Sequence, residues 1–600
     1  FTMEGTTPGD YWKKVKNNRK YLFAVGGVFL VTVLVYTLMR FLGPHTDEKA
    51  LSFPPGPPIS PFQVLSGMLL FLIVFFMSGN NSNSLFSHNL WNVVIPILVF
   101  AGGFLLWTTT PFVCADDRPG PYLPNGVCYP QVDDSVYSIG AHYITLGRGV
   151  FNHWFTDKPF YMLFLAIGQF IAGPQIDRYL IFQIGVLALI PVLLYFLGKK
   201  VSGLAAGVLL AFLSVIQGVN NIRYYATAGG VNVKLENSEI LTSLLLIIFC
   251  LLLVRFFTRQ SEIKWILLAG GILGLACLTR MNPVFILPLT IGFLLLVFWK
   301  KWKMWLTSVL VLVVGFSVVF MPWLFFANDG QGNNYYLQKI ESVLFYRYKK
   351  QTNDTQNWIF TASKQENSQI PVVSKLAVPP NTKTEYGGIT SIDPLVEGVD
   401  EQKLRLSSIF KHFLNNEYMA VARLPVNFQI TPMEEVLNQS IWLDSHRLPF
   451  WKLSLSLENF FSFSLNFLFI LTGLTFAFHR WGLTGLIPLM IQLGYHLANG
   501  FALTSGERYL EPVEWVSILY FSFGIFWITT AFFPGVPLGT RQVLLPGQMT
   551  ISKARTFFSN KSNFKALVIL VILGGLLPAT YLLKDTLPQT IKADLVKVAQ

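Results

Sequence analysis

The stretch 131–161, QVDDSVYSIGAHYITLGRGVFNHWFTDKPFY, gathers Asp133, Asp134, His142, Arg148, His153, Asp157 and Lys158 in one short run. These types suit an acid–base step beside a phosphate. An un-ionised hydroxyl is a poor nucleophile, and a positioned carboxylate can take its proton. A lysine can take up charge that develops on a phosphate. Asp133 and Asp134 precede a helix-like run, SVYSIGAHYITLGRG. The competing reading of Asp134 is a helix N-cap that accepts backbone N–H bonds. Pro159 pushes Lys158 out of helical geometry, so the lysine is presented from an extended link. A cation there suits a lipid phosphate; the competing reading is a lysine snorkelling at a helix end. His142 and His153 are candidates to join the aspartates around a divalent metal, without a tight ligand spacing.

Such a run needs a scaffold, and composition says which kind. The chain has 600 residues, of which 52% are hydrophobic and 13% charged. Soluble domains carry about 25% charged residues. Mean hydropathy is +0.49. These values exclude a soluble enzyme, a disordered chain and a disulfide-dense scaffold. They point to an all-α polytopic membrane protein, because an open backbone in lipid leaves polar groups unsatisfied.

A spanning helix needs about 20 mostly apolar residues. Thirteen candidates are read at 21–42, 62–78, 91–107, 179–198, 203–218, 238–256, 265–279, 283–299, 304–326, 457–478, 482–500, 512–533 and 565–583. The first is expected to be a retained anchor rather than a cleaved signal. Lys13, Lys14, Lys16, Arg19 and Lys20 precede it, which places the N-terminus in the cytoplasm. Alternating from there, the inside segments hold 19 of the 45 basic residues, so the net charge of +13 reads as a topology signal. No nucleic-acid module or aromatic interleaving accompanies it, and no nucleic-acid partner is expected. Residues 160–172 are apolar but too short to span. They are expected to form an interfacial or re-entrant helix on the outer face.

This divides the chain into a cytoplasmic N-terminus with a membrane hairpin (1–90), a membrane module (91–326), an extracytoplasmic region (327–455) and C-terminal helices (456–600). The module includes a first outer loop, 108–178. Region 327–455 is long for a linker and is expected to be a small folded domain or an ordered loop pair, of unassigned and even mixed fold. The Pro-rich 43–61 is expected to be an exposed turn region. Cys114 and Cys128 share the first outer loop and are disulfide candidates.

Other charges sit near span ends. Glu239 begins the sixth span, where it can act on substrate or simply complement the helix dipole. Arg280 and Arg508 lie at predicted outward-facing ends, where a functional role and a structural ion pair are both open. Arg347 is a further basic candidate in FYRYKK.

An acidic pair plus Tyr, followed by Asp157-Lys158-Pro159-Phe160-Tyr161, resembles the first extracytoplasmic loop of GT-C membrane glycosyltransferases. The similarity is greatest to the branch of protein O-mannosyltransferases and aminoarabinose transferases. Phe160 stands where that family has a second proline. Looser echoes are Asn237-Ser238-Glu239, the segment GLACLTRMNPVFILP (274–288) with Arg280, and Ser505-Gly506-Glu507-Arg508-Tyr509. The resemblance implies a polyprenyl-phosphate sugar donor, met in the lipid, and transfer outside the cytoplasm, in a bacterial plasma membrane. The acceptor stays open between protein, lipid and glycan. It further implies Asp133 or Asp134 as base and Lys158 as phosphate clamp, with Asp157, His142, Glu239, Arg280, Arg508 and Tyr509 lining the substrate site. No cofactor is required by this reading, and a divalent metal is left open. Two other classes compete: a lipid or solute transporter, and a non-catalytic assembly subunit with a glycosyltransferase-like fold.

Overall fold

The computed structural model describes residues 51–52, 56–57, 59–79, 88–112, 133–149, 157–223, 225, 231–258, 262–328, 334, 336–341, 406–424, 457–532 and 561–582. Cys114, Cys128, His153, Arg347 and the first expected span lie outside them. The principal helices are α1 (Pro61–Gly79), α2 (His88–Thr109), α3 (Asp133–Thr145), α4 (Pro159–Ala172), α5 (Ile176–Leu187), α6 (Leu189–Ser202), α7 (Leu204–Arg223) and α8 (Ser238–Thr258). They continue as α9 (Ile263–Thr279), α10 (Ile286–Val297), α11 (Trp302–Phe326), α12 (Leu406–Ala422), α13 (Leu457–Trp481), α14 (Ile487–Phe501), α15 (Glu514–Phe532) and α16 (Lys561–Leu582). The only pairing of strands among the described residues is two residues long: Leu51–Ser52 runs parallel to Thr504–Ser505.

Eight stretches among the described residues are long and apolar enough to cross a membrane. The protein is an all-α polytopic membrane protein. The helices cover the other twelve expected spans, but α9 and α10 are short, at 17 and 12 residues, and the expected spans at 457–478 and 482–500 run on as one apolar stretch, Phe463–Phe501. Local chemistry explains the breaks. The stretch Ile176–Ser202 turns at Ala188, and Pro191 follows in the first turn of α6, where a missing N–H costs no intrahelical bond. Between α13 and α14 the chain passes through Gly482 at φ 59° and a 3₁₀ turn.

α8 is the central post, buried on nearly every face, as a helix apolar all round must be. Glycines let two other helix pairs close up. A methyl on Gly270 of α9 would overlap the Leu312 carbonyl of α11, and one on Gly315 would overlap Leu267 O. Gly473 and Gly524 do the same where α13 crosses α15. Without a hydrophobic drive between helices in lipid, such close backbone approach supplies much of the association.

The Pro-rich segment differs from the exposed turn expected for it. Its described part is buried: Ile59 and Ser60 are 1% and 6% exposed. Polar partners draw it inward, since Ile59 N–H donates to Arg423 O (3.0 Å) and Gln217 Nε2 donates to Pro57 O (2.8 Å). α4 has 14 residues, about 21 Å of rise against about 30 Å of hydrocarbon. It packs on α3, α5 and α9, and its C-terminal half opens outward at Ile167, Phe170 and Ile171.

Candidate active site

Five chain segments meet at one end of the bundle: the N-termini of α3, α4 and α8, the C-terminus of α9 and the turn Glu507–Tyr509 before α15. Each brings a charge. Asp133 and Asp134 stand in the first turn of α3, a favourable place for carboxylates at a helix N-terminus. Lys158 caps α4 with φ −136° and ψ 51°, outside helical geometry, and Pro159 follows at the first helical position. Glu239 opens α8. α9 stops at Thr279, and Arg280 turns extended, φ −161° and ψ 138°.

The side chains interlock. Arg508 Nη1 donates to Asp133 Oδ2 at 2.8 Å. Arg508 Nε also lies 3.9 Å from Glu239 Oε1. Glu239 pairs with Arg280, and both are deeply buried. The Tyr509 ring sits 5.5 Å from the guanidinium carbon of each arginine, a cation–π distance. Lys158 Nζ donates to the Tyr137 hydroxyl and lies 4.3 Å from that ring's centre. Asp133, Lys158, Glu239, Arg280 and Arg508 therefore form one cluster with three positive and two negative members. It keeps a surplus positive charge.

Exposure separates the two aspartates. The side chains of Asp133 and Arg508 are 39% and 34% exposed, whereas Asp134 is 2% exposed. The titration of the accessible groups follows from their neighbours. Burial works against the Asp133 carboxylate, but Lys158, Arg508 and Arg280 outweigh it and hold the group at about 2. Burial pushes Lys158 down to about 8, with Asp133 as the main opposing influence. Burial raises Asp157, against the pull of Lys339 on the 336–341 helical turn.

A neutral framework holds these ends in place. Tyr161 Oη donates to Gln183 Oε1 (3.1 Å), and Gln183 Nε2 donates to Val233 O and Leu235 O (2.9 and 2.8 Å). Tyr179 Oη donates to Glu236 and contacts Ser138 Oγ at 3.1 Å. The loop leading into Glu239 is thus tied to α3, α4 and α5. On the other side, α12 grips the backbone before Arg508. Asn416 Nδ2 donates to Thr504 O, and Gly506 N–H donates back to Asn416 Oδ1, both at 3.0 Å.

Of the residues singled out in the sequence, Asp133, Lys158, Glu239, Arg280, Arg508 and Tyr509 come together. Asp157 lies within electrostatic reach of Asp133 and Arg280. His142 is in the last turn of α3, nine residues and about 13 Å along the helix from Asp133. Among the described residues no group of three or more His, Cys, Asp or Glu is placed to hold a metal ion. Sequence reasoning left Tyr137 out of the site, although it follows Asp133 by four residues and so shares its helix face. It also missed Lys339, Asn416 and the framework of tyrosines and amides, which carry no spacing signal.

No curated protein matches the chain. Residues 157–326 match the model of the family described as dolichyl-phosphate-mannose-protein mannosyltransferase. That stretch opens on Asp157-Lys158 and contains Glu239 and Arg280, while Asp133, Arg508 and Tyr509 lie outside it. Through this segment the chain is, in general terms, similar to the membrane glycosyltransferases of the GT-C superfamily.

Proposed function

We propose that the protein transfers a sugar from a polyprenyl-phosphate-linked donor to a hydroxyl-bearing acceptor on the extracytoplasmic side of its membrane. The observation that carries this reading is the convergence of Lys158, Arg280 and Arg508 with Asp133 at one end of a membrane bundle. The surplus positive charge suits a phosphodiester monoanion. The donor's isoprenoid tail requires lipid access, which a membrane scaffold supplies.

In this reading Lys158 and Arg508 take the donor phosphate. Arg508 then leaves Asp133, whose carboxylate gains basicity as its cation departs. The acceptor oxygen attacks the anomeric carbon while the bond from that carbon to the phosphate oxygen breaks. The hydroxyl proton passes to Asp133, and polyprenyl phosphate leaves with its charge held by the cations. One displacement inverts the anomeric centre. Asp133, being accessible, is the base in preference to the buried Asp134. Arg280 and Glu239 hold Arg508 and Tyr509 in register behind the phosphate.

The test is reconstitution with radiolabelled polyprenyl-phosphate sugars and scoring of label moved into acceptor material. Transfer that disappears in Lys158→Ala and Asp133→Asn supports the reading. Undiminished transfer by both variants removes these roles. Label that crosses the bilayer without covalent change assigns a transporter instead.

A further inference from the structure

The turn that carries Arg508 is held against its own backbone preference. Leu503, which opens it, has φ 49°, in the left-handed region that a bulky side chain rarely adopts. Gly506 follows at φ 84°. Strained backbone of this kind persists only where its surroundings over-determine it. Two asparagines do so here. Asn416 of α12 grips Thr504 and Gly506. The other is Asn499, in the last turn of α14.

Asn499 is fully buried, and both ends of its amide are engaged. Nδ2 donates to Tyr509 O at 2.8 Å, and Oδ1 accepts from Asn282 Nδ2 at 2.6 Å. A carbonyl only accepts, so the amide nitrogen has to face Tyr509. The Asn499 backbone carbonyl also accepts from Thr504 Oγ1 at 3.3 Å. Asn282 begins a 3₁₀ turn two residues after Arg280, and Tyr509 directly follows Arg508. One amide thus ties together the two segments that carry the arginines. The Tyr509 ring stands 5.5 Å from each guanidinium carbon. Fixing its backbone therefore fixes the spacer between the two cations. α14 itself is anchored, since Gln492 Nε2 and His496 Nδ1 meet the Glu417 carboxylate of α12 at 2.6 and 2.8 Å. Gln492, His496 and Asn499 share one helix face, at i, i+4 and i+7.

We propose that Asn499 is a positioning residue of the site: by tying the Tyr509 backbone to the Arg280 turn, it sets where Arg508 stands when a lipid phosphate binds. The proposal rests on Arg508 taking the donor phosphate. Asn499 touches no substrate in this role and acts only through Arg508. An apolar side chain would fill the same space, but only a head with a donor and an acceptor side by side makes both contacts.

The experiment is binding of a radiolabelled polyprenyl phosphate to the purified full chain in detergent, as a double-mutant cycle between Asn499→Ala and Arg508→Ala, with sugar transfer by the wild type measured beside it. Asn499→Ala should weaken binding about tenfold or more. In the Arg508→Ala background the same change should matter by no more than about twofold, because its effect passes through the missing guanidinium. A merely structural role would instead give losses that multiply. Asn282→Ala is the second variant, in case Asn499→Ala fails to fold. It removes the other end of the bridge at a half-buried position, and it should weaken binding about twofold to tenfold. Folded Asn499→Ala or Asn282→Ala protein that binds as tightly as wild type overturns the proposal, and so does a double variant whose losses multiply. Either result leaves transfer by the wild type untouched. Wild-type protein that binds the lipid phosphate but moves no sugar removes the transfer reaction alone, and wild-type protein that binds none overturns both.

Discussion

Arg508 Nη1 and Asp133 Oδ2 lie 2.8 Å apart although 375 positions separate them in the chain. The contact joins the first turn of α3 to the turn before α15 and closes the site across the whole sequence. It also makes one guanidinium common property of a carboxylate and, in the proposed reaction, of a phosphate.

Asp133→Asn removes the proposed base and leaves a group of the same shape. Sugar transfer should fall by about 10²–10⁴-fold. The side chain is 39% exposed, so the melting temperature should change little. Asp134→Asn should behave oppositely, because Asp134 is 2% exposed. Its main effect should be a lower melting temperature, read by a thermal scan beside the transfer assay.

Lys158 must be charged to hold a phosphate, and burial sets its pKa at about 8. An amine loses its charge as pH rises through its pKa. The kcat/KM of transfer should therefore hold below about pH 8 and fall above it, since that parameter reports the free enzyme. Lys158→Arg should move the fall out of the accessible range wherever the larger head is tolerated. A flat profile between pH 7 and about 9.5 contradicts the assignment.

The Glu239–Arg280 pair is buried on both sides. Removing one partner of such a pair typically costs about 3–5 kcal/mol, because the other charge is left uncompensated. Glu239→Gln should thus lower stability sharply. The double variant Glu239→Gln with Arg280→Gln should recover much of that stability without recovering transfer. A double variant no more stable than the single one would show that the pair is not the source of the loss.

At the α9–α11 crossing, Gly270→Val should separate two backbones that now touch, since its side chain meets the Leu312 carbonyl. Overpacking of this kind costs about 1–3 kcal/mol or more. Thermal melting in detergent reads the effect, and transfer by the folded fraction should be retained, because Gly270 lies in the middle of α9, away from Arg280 at its end.

Much of this arrangement is legible in the sequence, and the rest is not for a physical reason. Apolar runs announce helices because lipid demands them, so α2, α8, α11 and α15 fall close to their expected spans. Lys158 and Asp133 stand out because charges beside apolar runs are rare. Their partners do not. Arg280 finds Glu239 across 41 positions and Arg508 finds Asp133 across 375, and each pairing depends on how helices cross. The burial of the Pro-rich segment was equally hidden, since Pro57 and Ile59 go inward to meet Gln217 and Arg423, which belong to distant helices.

α12 lies inside the long region 327–455, and Asn416 on it clasps the backbone on both sides of Ser505. The insert is therefore no detachable ornament. Anyone shortening this protein, or exchanging parts between it and another, must move 406–424 and 499–514 as a matched set, because a foreign counterpart on either side would let the arginine swing loose.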